Sequence, residues 1–149
     1  MMKKNNIKSV KKSSSDFSEE IFQLIFTKFL KKFAEGLCSK PLEEYCKINF
    51  NNINNWSVNA NDFTVIITYD EICDVCKIKS EDSLINSALN DVFGVQLGFK
   101  SDNFPQALER SVHFIELYDK NVHERKVSFL VHPLIISYIN KLKDEGSKK

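Results

Sequence analysis

Phe63-Thr64-Val65-Ile66-Ile67-Thr68-Tyr69-Asp70 is the stretch on which the fold turns. Its β-branched and aromatic residues predict a strand. Tyr69, Asp70 and Glu71 predict a tight turn into a second strand over residues 72–78, and an amphipathic helix is expected over residues 82–93. The same order recurs at Val112-His113-Phe114-Ile115-Glu116-Leu117-Tyr118-Asp119, followed by an expected strand over 122–131 and a helix over 133–142. A unit present only twice is not a solenoid. It predicts one domain with two related halves, an architecture that suits a binding scaffold better than an enzyme.

Outward from this unit, Asp16 and Glu19 form a capping pattern ahead of apolar residues at Phe17, Ile21, Phe22, Ile25, Phe26, Phe29, Leu30, Phe33 and Leu37. Their spacing predicts a long helix with a wide apolar face, ended by Gly36 and Pro41. Alternation of Cys46, Ile48 and Phe50 predicts a strand over 44–50. Residues 95–106 read as irregular. A second hairpin is expected from residues 108–118 and 122–131, turning around Asp119, Lys120 and Asn121. Strands joined by tight turns run antiparallel. The expected class is therefore α+β: an antiparallel sheet with three main helices and a pseudo-twofold repeat of strand-strand-helix units. Residues 1–15 read as a disordered basic tail, 16–143 as the domain, and 144–149 as a second tail.

The 149 residues suit one domain with a real core, and a formal charge of +1 gives no global push toward nucleic acid. Basic residues gather locally, at Lys3, Lys4, Lys8, Lys11 and Lys12. No apolar run reaches the ~20 residues of a membrane span, and no signal-peptide pattern is visible. Reduced cysteines and a cytoplasmic setting are expected.

Candidate chemistry is sparse. Cys73-x-x-Cys76, with Cys38 and Cys46, supplies four thiols, the number a structural zinc takes. Inside a strand, residues three apart face opposite ways, so ordinary half-buried cysteines are the favoured reading. His113 and His123 are expected to pair across the second hairpin. Asp82 and Asn86, one helical turn apart, have the chemistry to orient a water for phosphate hydrolysis, but on an amphipathic helix they read as solvated surface. The phenylalanine-rich first helix reads as a core helix, with part of its apolar arc as a candidate partner surface. The basic N-terminal residues lack interleaved aromatics, so no specific nucleic acid is expected.

Two stretches carry a resemblance. Ser83-Leu84-Ile85-Asn86-Ser87-Ala88-Leu89-Asn90-Asp91-Val92-Phe93-Gly94 resembles the helix that runs into a glycine loop in the middle domain of flagellar motor switch proteins and their type III secretion relatives, which share a CheC-like fold. Lys126-Val127-Ser128-Phe129-Leu130-Val131-His132-Pro133-Leu134-Ile135 is similar to that domain's last strand and closing helix. The resemblance implies a cytoplasmic, non-enzymatic scaffold or interaction subunit in a homo- or hetero-oligomer. Its partner protein would be bound through Phe93, Gly94, Val95, Gln96, Leu97, Gly98 and Phe99, with no catalytic residue, metal or cofactor. A small phosphatase and a zinc-stabilised binding protein are the alternatives.

Overall fold

The computed structural model describes residues 5–11, 17–101 and 108–147. In chain order the elements are β1 (Asn5–Lys11), α1 (Ser18–Ala34), α2 (Leu42–Tyr45), β2 (Thr64–Thr68), α3 (Tyr69–Cys76), α4 (Asp82–Phe93), β3 (Gln96–Ser101), β4 (Leu108–His113), β5 (Ile115–Asn121), β6 (Lys126–Val131) and α5 (Ile135–Ser147). Short 3-10 turns at Ile53–Asn55 and Ala60–Phe63 fill the connection before β2. The class is α+β, with antiparallel sheets throughout.

The strands form two sheets, in the orders β1-β3-β4 and β2-β6-β5. The chain crosses between them at Phe114, which is fully buried. The Phe114 amide donates to the Val95 carbonyl (3.0 Å), and its carbonyl accepts from the His132 amide (2.9 Å). One residue thus stitches the two sheets together.

α1 supplies the interior that both sheets share. Ile21, Phe22, Ile25, Phe26 and Phe29 are all buried, at the spacing of one helical face. Phe22 packs on Phe114 with centroids 4.6 Å apart, and Phe22 and Phe26 meet Tyr138 of α5 at 6.1 and 5.4 Å. Further along, Phe29 meets Phe63 and Phe33 at 5.4 and 5.2 Å, and Tyr45 closes the cluster on Phe33 and Phe63. The core reading of this helix holds. Its arc is covered by the chain's own aromatics, which leaves little of it for a partner.

Asp62 locks the connection before β2. It is 3% exposed. Its carboxylate accepts from the Ser39 amide (2.9 Å), the Ser39 hydroxyl (2.5 Å) and the Tyr45 hydroxyl (2.5 Å). Burial alone would raise its pKa, but these donors outweigh burial and hold it below the ordinary value. Lys32 of α1 ties down the same segment by donating to the carbonyls of Asn61 (2.5 Å) and Thr64 (2.7 Å).

Several expectations change here. The first half of the supposed repeat is strand-helix-helix, because residues 69–76 are helical, whereas the second half is strand-strand-helix. The two halves therefore do not match. Residues 44–50 hold the end of α2 and turns in place of a strand, and Tyr45, Ile48 and Phe50 are buried by those turns. The stretch expected to be irregular after α4 contains β3, while residues 102–107 lie outside the described residues. The second hairpin turns at residues 122–125. Within the supposed basic tail, residues 5–11 form β1, paired antiparallel to β3. The remaining residues of that tail, and Asp16, lie outside the described residues. α5 continues to Ser147, past the expected boundary.

Two predictions follow from the core and its edge. Phe29→Ala should lower unfolding stability by about 3–5 kcal/mol in denaturant titration, the cost of emptying a fully buried aromatic site. His132 gives a pH dependence. Burial first, and the nearby Arg110 charge second, push its pKa down from 6.5 to about 4. Its Nδ1 accepts from the Leu134 amide (3.1 Å), a bond only the neutral ring makes. The unfolded chain thus binds a proton between about pH 6.5 and pH 4 that the fold refuses. Stability is complete above that window and falls through it, by on the order of 1–3 kcal/mol. Glu116, 3.9 Å from Nε2, has a pKa raised by burial and opposes this trend in the carboxylate range. Thermal melts from pH 7 to 4 should show the loss, and His132→Gln should flatten it.

Candidate nucleic-acid interface

α3 exists because its first turn is capped on both sides. The Thr68 hydroxyl accepts from the Glu71 amide (3.1 Å), and the Glu71 carboxylate accepts from the Thr68 amide (3.0 Å), a reciprocal capping box. Lys28 of α1 pairs with the same carboxylate. Burial alone would raise the Glu71 pKa, but Lys28 and Thr68 together hold it below the ordinary value. α3 stops at Lys77, a left-handed residue with φ 56°. Its buried positions, Tyr69, Ile72 and Cys76, face the core.

Residues 77–81 then turn the chain into α4. Ile85, Ala88, Leu89 and Val92 are buried, and Asp82, Ser83, Asn86, Ser87 and Asn90 are exposed on the opposite face. Ser80 stands outside this helix, in the turn before it. Glu81 is the N-cap residue and makes no side-chain cap bond. α1, α3 and α4 with the sheet β2-β6-β5 form a helix-turn-helix followed by a hairpin, the arrangement of a winged helix. In that frame α4 is the second helix of the turn and the β5–β6 hairpin is the wing.

The wing is fastened to the turn and to α4. Arg125, in a left-handed conformation (φ 55°), accepts the Tyr69 amide on its carbonyl (2.9 Å) and lays its guanidinium over the Tyr69 ring, 4.9 Å from the centroid. The same guanidinium donates to the Ser80 hydroxyl. Lys120 donates to Asn86 Oδ1 at 2.5 Å. Lys77 and Lys79 on the turn are exposed, as are Lys120 and Arg125 of the wing, which reach Asn86 and Ser80; Lys126 is half-buried. Glu81, Asp82, Asp119 and Glu124 temper this charge, and Glu124 is 2.9 Å from Lys126.

The expected contact loop is built differently. Val95, Leu97, Gly98 and Phe99 are buried and Gln96 is half-buried, with Gln96, Leu97, Gly98 and Phe99 inside β3. Gly94 is exposed, and half-buried Phe93 stacks on His113 at 5.6 Å. His113 belongs to β4 and its Nδ1 lies 3.0 Å from the Phe93 carbonyl, so it does not pair with His123 across the hairpin. Cys73 and Cys76 lie on a helix, not a strand. Burial raises both thiols, Cys76 to about 11, which keeps them protonated. Among the described residues no group of three or more His, Cys, Asp or Glu side chains is placed to hold a metal, and no helix is long and apolar enough to cross a membrane.

No protein-family model and no curated protein matches the sequence. Solved structures similar to it include the WH1 domain of MSBI1.176, a replication protein isolated from a multiple sclerosis patient. The identity is 11% and the TM-score 0.49, over 87% of this chain and 85% of that one. Domains 2 and 3 of RctB are similar at 8% identity and a TM-score of 0.46, over 97% of this chain and 54% of that one.

These findings correct the expected kinship. The similar structures are not flagellar switch, secretion or CheC-like proteins, and the repeat on which that resemblance rested fails at α3. The scaffold function and its oligomeric protein partner lose their basis with it. The phosphatase alternative is likewise unsupported by the similar structures. The zinc alternative fails for want of a ligand cluster among the described residues. The expectation of no specific nucleic acid also gives way, since an exposed polar helix flanked by a wing is a shape that enters a groove.

Thr68→Ala should remove the hydroxyl half of the capping box while leaving the core intact. The expected loss is about 1 kcal/mol of stability, with faster amide exchange confined to α3 and the turn that follows it. Unchanged exchange in α3 would refute the capping account.

Proposed function

We propose that this chain is a non-enzymatic duplex-DNA-binding module of the winged helix-turn-helix kind, with a cytoplasmic setting that accords with its four free cysteines. The observation that carries this reading is the joint position of α4 and the wing. α4 presents an amide and hydroxyl face with one carboxylate, Asp82, in its first turn, next to Lys77 and Lys79 on the preceding turn and to Lys120 and Arg125 of the wing, which reach Asn86 and Ser80. Recognition helices of this kind lie in the major groove while flanking groups hold phosphates. An α-helix fits the roughly 12 Å width of that groove.

The modest net charge sets the expected strength. With three to five phosphates neutralised, the logarithm of the binding constant should fall with the logarithm of salt at a slope of about −3 to −4. Fluorescence anisotropy on a labelled duplex across a salt series measures it. Lys77→Ala with Lys79→Ala should make the slope shallower by about two units. A chain that binds no duplex at low salt, or binds with no salt dependence, does not have this function.

A further inference from the structure

We infer that α4 reads adenine in the major groove, through Asn86 and Asn90, with Lys120 of the wing as the positioning residue for Asn86. This rests on the DNA-binding reading above and adds the class of sequence it selects.

What the exposed face of α4 holds and lacks limits the base edges it can match. Ser83, Asn86, Ser87 and Asn90 are exposed there, and from Asp82 to Phe93 there is no lysine, arginine or glutamine. Guanine offers two acceptors to the major groove, N7 and O6, and is matched by the paired donors of arginine or lysine. α4 has no such donors. Adenine offers an acceptor at N7 beside a donor at N6, and a carboxamide matches that pair with its own NH₂ and C=O. The two amides are four residues apart, on one side of the helix and about 6 Å apart along its axis. With base steps of about 3.4 Å, they address bases roughly two steps apart. Asp82, in the first turn, is favoured there by the helix dipole and lies a full turn before Asn86.

Lys120 makes Asn86 the better-defined of the two. A lysine has only donors, so the amide atom it meets is the carbonyl oxygen. Its 2.5 Å bond to Oδ1 sets which end of the carboxamide faces the wing. The Nδ2 hydrogens then point elsewhere, and the oxygen keeps a second lone pair. An exposed asparagine normally samples both amide orientations. One held by a cation from a neighbouring strand has paid part of that ordering cost before DNA arrives. Asn90 has no such tether among the bonds described, so the stronger preference belongs to the base facing Asn86.

The experiment is selection from a randomised duplex library with the full chain, followed by sequencing and anisotropy on the selected duplex. The wild type should enrich adenine at two positions about two base pairs apart, more strongly at one of them. Asn86→Ala should abolish the stronger preference and Asn90→Ala the weaker, each lowering affinity for the selected duplex by about 5- to 150-fold while leaving random-sequence affinity nearly unchanged. Both side chains are exposed, so thermal melts should match the wild type. Lys120→Ala should blur the stronger position as well as reduce the salt slope by about one unit, and Lys120→Arg, which still donates, should restore the preference. Enrichment of guanine, or an adenine preference that survives both asparagine substitutions, overturns the assignment. Salt-dependent binding without any base preference overturns this inference alone, whereas no duplex binding at all removes the DNA-binding reading beneath it.

Discussion

The contact on which the rest of the structure depends is α1 against Phe114. That residue is where the chain leaves one sheet and enters the other, and its backbone is bonded into both. Phe22 packs on its ring at 4.6 Å, so α1 meets the point where the chain passes from one sheet to the other. The same helix reaches Tyr138 with Phe26 and Phe63 with Phe29. Aromatic pairs at such distances add to their area burial, by about 0.5–1.5 kcal/mol each. The consequence for function is geometric. With α1 spent on the interior, α3 and α4 are held against its flank, and the polar face of α4 is left outside.

How much of this was legible depended on whether local and tertiary signals agreed. α1, α4 and β6 were readable because their apolar spacing matches one period and their buried faces obey it. α3 was misread because a short apolar run such as Ile72-Cys73-Asp74-Val75-Cys76 between turn signals was taken for a strand, although its spacings of three and four suit a helix. The deciding signal was four residues long, Thr68 to Glu71, a capping box that starts a helix where β propensity continues a strand. β3 was missed because Gly98 looks like a loop residue, yet here a glycine is buried within a strand that has neighbours on both sides. The supposed strand at 44–50 shows the converse error, since alternation also arises when successive turns bury every second or third side chain.

The site was harder to see than the fold. Asn86 stood out in the sequence but was paired with Asp82 on its own helix, the only neighbour that spacing reveals. Its actual partner, Lys120, is 34 residues away and arrives because the chain makes two sheet excursions in between. Lys120 itself had been placed in a turn, whereas it lies in β5, and the turn comes after it. Leu97 and Phe99 misled in the opposite way. They were read within a partner-binding loop because their helix-following position suggested one, and they are instead buried strand positions.

In the proposed DNA-binding role, the wing is what lets a chain with a formal charge of +1 set cations beside a polar helix. Arg125 joins the wing to the start of α3 and to the turn before α4, through its carbonyl to Tyr69 and its guanidinium to Ser80. Arg125 and Lys77 both have left-handed backbone, and the Arg125 guanidinium lies at Ser80, just ahead of α4. Cations on a rim meet the phosphate backbone, which carries affinity without sequence information. Amides on the face meet base edges, which carry sequence information at lower affinity. A surface so divided does not need a large net charge. It needs the rim and the face held in one rigid frame, and the bonds from Arg125 and Lys120 supply that frame from the same hairpin.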